Sequence, residues 1–249
     1  MISVITPTYA RESMLPGAYR SFASQTAASL EWIVIDDSPE PSPFMRGLSD
    51  ARVRYLHLDH RLTSGEKRNM AVEMAKGDII VLFDDDDYYS PGYIDAMVKA
   101  MDAQAADFVK LSAFFVYSMT YRKFGYCDLR QRGGFNFRWS PNQPMAALNV
   151  SPDFPGYENL HLGYGFNYVF RKHLWGPNKF PAASFKSDSP FAIAAIEKGA
   201  KLALFDDDAG LCLHVLHDHN VSACLVQYVL PDVLVKKFFP GFLAAIGTQ

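Results

Sequence analysis

Apolar residues come in short runs, each stopped by a polar or turn-forming cluster, and the runs alternate with stretches of helical spacing. Residues 2–6 form a β-rich run ended by Pro7, and residues 14–26 put Leu15, Ala18, Tyr19 and Phe22 on one helical face. Residues 32–35 (Trp-Ile-Val-Ile) are continuously apolar and stop at Asp36 and Asp37. A strand with no polar position is covered on both faces, which suits a parallel sheet. Residues 53–58 predict a third strand. Residues 65–76 predict a helix closed by Lys76-Gly77. Residues 78–83 predict a fourth strand that runs into Asp84, Asp85, Asp86 and Asp87. Ser90 is the expected cap of the next helix, with Pro91 at its first position. Residues 109–116 predict a further strand. Residues 120–160 are dense in Gly, Pro, Asn and aromatics and predict long functional loops that close as a lid. Beyond them come a strand with a turn at 167–174, a helix at 189–199, strands at 201–205 and 211–215, and two short helices at 225–246 broken by Pro231 and Pro240.

This βαβ rhythm predicts an α/β fold: one doubly wound, mostly parallel sheet flanked by helices. Such sheets bind ligands beyond the carboxyl ends of their strands, where Thr6, Asp36 and residues 84–87 all fall. With 49% hydrophobic and 20% charged residues over 249 positions, the chain is globular, not disordered or coiled-coil. A net charge of −3 leaves no global basic field for nucleic acid. Cys127, Cys212 and Cys224 fit neither a disulfide framework nor a zinc pattern, so reduced thiols in the cytoplasm are expected. Residues 1–6 read as a strand rather than a signal peptide, and no run approaches ~18 apolar residues.

Four adjacent carboxylates at a strand end repel one another, and a hard divalent cation such as Mg²⁺ or Mn²⁺ relieves that; an acidic surface turn is the alternative. Asp206, Asp207 and Asp208 repeat the pattern, but Ala209-Gly210 follows, which favours a tight turn between strands. His214, His217 and His219 cluster near one strand end and would complete an oxygen-rich metal site or simply populate a polar loop. Asp188, ahead of a helix, is either its cap or a general base. Lys67 and Arg68, in the first turn of a helix, either meet phosphate or form a solvated face. Trp139, Tyr157, Tyr164 and Trp175 are either sugar platforms or core. The tail, with Lys236 and Lys237, would pack on the core or a second copy of the chain, or lie on a membrane surface.

In this order the clusters resemble the family 2 (GT2) nucleotide-sugar glycosyltransferases with the GT-A fold, over residues 1–222. The resemblance is carried by residues 3–9 (Ser-Val-Ile-Thr-Pro-Thr-Tyr), Ser24-Gln25-Thr26, residues 35–38 (Ile-Asp-Asp-Ser), residues 75–78 (Ala-Lys-Gly-Asp) and the run from Leu82 to Pro91, which matches Asp-x-Asp-Asp-x-x-x-Pro. It implies a single domain over 1–249, with a Rossmann-like nucleotide-sugar half (1–100), an acceptor half (101–222) and a helical tail (223–249). It implies donor contacts for Thr6, Pro7, Thr8, Tyr9, Arg11, Asp36, Asp37, Arg68, Asp84 and Asp85. Asp86 would ligate Mn²⁺ or Mg²⁺ with His217, whose run His217-x-x-Asn220-x-Ser222 looks like the family's late metal-completing loop, or with His219 as a close alternative. The segment from Gly163 to Arg171 resembles the entry to the acceptor site. Asp188 aligns with the second acid of the family's Glu-Asp pair, but Ser187 stands in the first position.

The activity so implied is inverting, single-displacement transfer from a nucleoside-diphosphate sugar, with UDP favoured, to a saccharide or lipid-linked glycan hydroxyl in polysaccharide biosynthesis. It would take place in the cytoplasm or at the inner membrane face, with Asp188 as base. Two rivals are weaker. A haloacid-dehalogenase-type phosphatase would place its nucleophile on an early strand and a Thr or Val soon after the second Asp, where this chain has Tyr88 and Tyr89. A carbohydrate-binding module has no use for acidic strand ends.

Overall fold

Buried strands, helix-capping side chains and prolines set the element boundaries of this protein. A computed structural model describes residues 1–141, 143–153, 157–220 and 223–245. In chain order the elements are β1 (Ile2–Thr8), α1 (Leu15–Ala23), β2 (Leu30–Asp36), α2 (Pro43–Gly47), β3 (Val53–His57), α3 (Ser64–Met74), β4 (Ile79–Leu82), β5 (Tyr88–Tyr89), α4 (Tyr93–Ala103), β6 (Phe108–Ser118), β7 (Lys123–Asp128), β8 (Gly134–Ser140), β9 (Gln143–Val150), β10 (Val169–Arg171), α5 (Asp188–Glu197), β11 (Leu202–Asp206), β12 (Cys212–Leu216), β13 (Cys224–Val226), β14 (Tyr228–Leu230), α6 (Val233–Phe238) and α7 (Pro240–Ala245).

The chain forms two compact units. The first comprises Met1–Asp86, Pro91–Lys110 and Leu162–Leu204, and the second Asp87–Ser90, Leu111–His161 and Phe205–Gln249. In the first unit β1 lies between β2 and β4, and β3 flanks β2, all parallel. Every residue of β2 is buried, as its apolar run requires. β10 then joins β4 antiparallel. Pro7 does not end β1, because β4 pairs only as far as Ile5↔Leu82, so the missing Pro7 N–H leaves no ladder bond to β4 unmade. Ile5, Ile33, Ile80, Val72, Phe170 and Phe191 belong to the core beneath this sheet.

Helix α3 opens with a capping box. Thr63 Oγ1 accepts from Glu66 N (3.2 Å), and Glu66 Oε2 accepts from Thr63 N (2.8 Å). Thr63→Ala is expected to cost about 1 kcal/mol, read as a lower urea midpoint; an unchanged midpoint would show the cap to be idle. Gly77 closes the turn after α3 because any Cβ there would sit 2.6 Å from Met1 O.

In the second unit β7 pairs antiparallel with β6 and with β14, while β12 pairs parallel with β6 and antiparallel with β5. A separate three-stranded sheet has the order β13-β8-β9. Three sequence expectations change. The expected loops at 120–160 carry strands β7, β8 and β9, whose alternation is masked by Gly, Asn and Pro; residues 154–156 lie outside the described residues. Ser90 does not cap α4. Gly92 occupies the N-cap without a side-chain bond, and Ser90 Oγ donates to Gly210 O because its backbone is already drawn to Leu211. The tail adds β13 and β14 before its two helices. Val235 and Phe242 from those helices, and Phe239 between them, bury against Phe115, Tyr117 and Phe124, so the tail packs on the core.

Candidate functional site

The residues expected to meet the donor gather at the carboxyl ends of β1, β2 and β4. Asp36 ends β2 and is buried. Its Oδ1 accepts from Ser38 N (2.9 Å) and Ser38 Oγ, and its Oδ2 accepts from Tyr55 Oη (2.6 Å). Burial, helped by that carboxylate, raises the Tyr55 phenol pKa and keeps it protonated as a donor. Asp36 lines a cavity of about 370 Å³ with Ala10, Arg11, Glu12, Ser38 and Pro41. Asp37 faces inward. Its carboxylate accepts from Lys67 Nζ (2.6 Å) and Leu62 N (2.8 Å), and Lys67 Nζ also donates to Thr8 O (2.7 Å). Lys67 is therefore a buried strut rather than a phosphate ligand. Desolvation lowers its pKa against the opposing pull of Asp37.

The segment from Thr6 to Arg11 divides the same way. Thr6 is fully buried, and its hydroxyl accepts the Trp32 indole N–H (2.9 Å), so it serves the core and does not line the cavity. Thr8 is buried and its Oγ1 donates to Asp85 Oδ2 (2.6 Å). Pro7 is half-buried between them. Tyr9 is exposed, with the Arg61 guanidinium 3.1 Å from its ring centroid. Arg11 pairs with Asp85 (3.3 Å) and Asp86.

The acidic turn after β4 gives each carboxylate a different setting. Asp84 is half-buried, 3.5 Å from Arg68 Nη2. Asp85 is buried; desolvation, then the Asp86 charge, push its carboxyl above the usual range against the opposing pull of Arg11 and Thr8. Within this run Asp84, Asp86 and Asp87 each offer an oxygen, all within 4.8 Å of one another. These hard donors suit Mg²⁺ or Mn²⁺. Asp87 is also engaged elsewhere: His214 Nδ1 lies 2.9 Å from its Oδ1, and Val215 N donates to the same oxygen (2.8 Å). Burial opposes a charge on His214, but Asp87 prevails and raises its pKa well above the usual value. This pair depends on the β12–β5 register, which puts Leu213 opposite Tyr88. Sequence spacing carries no signal of it.

His217 and His219 lie in the second unit on a turn after β12. His217 N donates to Asn220 Oδ1 (2.5 Å), and His217 Nδ1 accepts from His219 N (3.1 Å). The close set of carboxylates contains neither histidine. Ser222 lies outside the described residues.

Arg68, buried on α3, joins the acidic turn to the segment that carries Asp188. Its Nη1 donates to Ser187 Oγ (2.9 Å) while Nη2 reaches Asp84, and its buried Nε has no hydrogen-bond partner. Ser187, in place of the family's acid, is thus a neutral anchor for this cation. Asp188 is the first residue of α5. Its Oδ2 accepts from Gly165 N (2.6 Å) and its Oδ1 from Ser189 N (3.0 Å). Of the aromatic candidates, Trp139 is fully buried and is core, and Trp175 is tied through Nε1 to Asn69 (2.8 Å). Tyr164 holds a left-handed conformation (φ 61°). The Tyr157 side chain lies outside the described residues.

A family model, Glycosyl transferase family 2, matches residues 3–171. The chain belongs to glycosyl transferase family 2. Among curated relatives, YwdF of Bacillus subtilis, an uncharacterized glycosyltransferase, is 33% identical over 45% of this chain and 41% of its own. The match thus spans about two fifths of that relative. The Escherichia coli UDP-Glc:alpha-D-GlcNAc-diphosphoundecaprenol beta-1,3-glucosyltransferase WfgD is 27% identical over 90% of this chain and 72% of its own. The structure of S. aureus TarS 1–349 in complex with UDP-GlcNAc aligns with TM-score 0.63 and 16% identity, over 88% of this chain and 59% of the other. The mannosyltransferase PcManGT of Pyrobaculum calidifontis, solved with GDP-Man and Mn²⁺, aligns with TM-score 0.60 and 17% identity, over 86% and 56%. The fold of this family 2 member is therefore the GT-A fold.

Proposed function

We propose that this chain carries out metal-dependent, inverting transfer of a sugar from a nucleoside-diphosphate donor to a hydroxyl of a saccharide or lipid-linked glycan. The observation that carries this reading is the Arg68 bridge, which sets a buried, incompletely bonded guanidinium between Asp84 and the Ser187-Asp188 corner. A diphosphate is the ligand that satisfies such a fork. Asp86, with Asp84, would hold Mn²⁺ or Mg²⁺, which when bound neutralises charge growing on the departing diphosphate.

The reaction is one displacement. The acceptor oxygen bonds to the anomeric carbon as the bond to the diphosphate oxygen breaks, through an oxocarbenium-like state. Asp188 takes the acceptor proton, its two oxygens fixed by Gly165 N and Ser189 N. Asp36, in the cavity beside Ser38 and Arg11, reads the base. UDP is favoured, because WfgD uses UDP-Glc. That relative's diphosphoundecaprenol acceptor supports a lipid-linked acceptor and work at the inner membrane face. Among the described residues no helix is long and apolar enough to cross a membrane.

The test is a thermal-shift panel of UDP, GDP, dTDP and CMP species with and without Mn²⁺. UDP with Mn²⁺ is expected to give the largest rise, and Asp86→Ala to remove the Mn²⁺-dependent part while its ligand-free midpoint stays near wild type. Shifts indifferent to Mn²⁺ would overturn the metal-dependent reading.

A further inference from the structure

In the acidic turn each carboxylate already has a cationic partner from this chain: Arg68 for Asp84, Arg11 for Asp85 and Asp86, His214 for Asp87. Arg68 is also held by Ser187, and His214 lies within β12. Arg11 also reaches Met14 Sδ (3.7 Å). It sits on the loop after β1, and its side chain is 20% exposed. The loop's course is fixed one residue earlier, where Ala10 holds φ 52° and donates its N–H to Ser38 Oγ (2.8 Å). From there Arg11 borders both the acidic turn and the cavity that Asp36 lines. Its guanidinium therefore occupies the neighbourhood that a cation on Asp86 would share. Two cations cannot both sit a few ångströms from one another without strong repulsion in a partly desolvated setting.

Building on the transferase reading, we propose that Arg11 is the internal counter-ion of the metal-binding carboxylates, and that a divalent cation enters as Arg11 passes from Asp85 and Asp86 to the diphosphate of the incoming donor. The planar guanidinium fork suits carboxylate and phosphate equally, so the exchange keeps its hydrogen bonds made. The consequence is a coupling: the cation alone competes with Arg11, while cation and nucleoside diphosphate admit each other. Coupling between two sites is reciprocal and typically amounts to about 5–150-fold in affinity. Arg11 thus acts as a positioning residue that keeps the cation from settling before the donor.

Calorimetry with Mn²⁺ alone, and with Mn²⁺ in the presence of saturating UDP, tests this on wild type, Arg11→Gln and Arg11→Met. Removing the charge is expected to tighten binding of Mn²⁺ alone by about tenfold and to weaken UDP binding, so that the coupling measured in wild type shrinks by a similar factor. Arg11→Lys keeps a charge and is expected to bind Mn²⁺ alone as weakly as wild type. If neither neutral variant binds Mn²⁺ alone more tightly than wild type, the counter-ion role is wrong. A wild type in which UDP leaves Mn²⁺ affinity unchanged also overturns it, and that measurement does not depend on how any variant folds. Wild type that takes up no Mn²⁺ even with UDP would instead remove the transferase reading on which this rests.

Discussion

Asp188→Asn is expected to lower the transfer rate by about 10²–10⁴-fold, with UDP affinity and thermal midpoint close to wild type. The substitution keeps the shape at the start of α5 and leaves one oxygen to accept a backbone N–H. What it removes is the proposed acceptor of the proton that the attacking hydroxyl must lose. The geometry gives a second handle on the same step. A Cβ on Gly165 would lie 2.6 Å from Asp188 Cβ and 2.9 Å from its Oδ2, so Gly165→Ala should push the carboxylate aside and cost about 10²-fold through misplacement alone. A rate assay with saturating donor separates the two, because Gly165→Ala retains a base that acceptor analogues of different reach can partly recover. Transfer at the wild-type rate by Asp188→Asn would show that another group takes the proton.

How far the sequence could be read followed from what each residue's role depends on. The apolar run at residues 32–35 has to be covered on both faces wherever the chain goes, so β2 and its parallel partners were visible at once. The acidic stop after β4 was visible for the same reason, since a strand end in such a sheet faces the ligand crevice. The roles that stayed hidden depend on a partner far along the chain. Asp37 and Lys67 look like a base reader and a phosphate ligand until they are seen to neutralise each other in the interior. Thr6 looks like a pocket residue until Trp32 claims its hydroxyl. Trp139 has the right chemistry for a sugar platform, but β8 pairs with β13 and buries it. His214 meets Asp87 only because two strands pair in one register. Residue type and spacing are blind to all of these.

The second acidic run tests the opposite kind of assignment, a carboxylate whose work is architectural. Asp207→Ala is expected to destabilise the protein by about 3–4 kcal/mol, near the upper end for single substitutions. Its buried carboxylate collects four backbone amides: Ala209 (3.2 Å), Gly210 (2.8 Å), Leu211 (2.9 and 2.8 Å) and Cys212 (2.9 Å). These bonds fold the chain from β11 into β12 around one side chain. Burial raises the Asp207 pKa while the amides pull it down, so the charge stays inside only because the turn surrounds it. Removing the side chain strands several buried N–H donors at once, each worth about 1–3 kcal/mol before water or backbone movement repairs part of the loss. For a chain of this size the midpoint should fall by on the order of 10 °C. Exposed Asp208 serves as control, and Asp208→Ala should stay within about 0.5 kcal/mol. Neither variant should alter Mn²⁺ binding, because the proposed metal site lies in the run after β4. A midpoint for Asp207→Ala within a degree or two of wild type would mean the turn holds without its carboxylate. A lost Mn²⁺ response in a folded Asp207→Ala protein would mean the two acidic runs had been assigned the wrong way round.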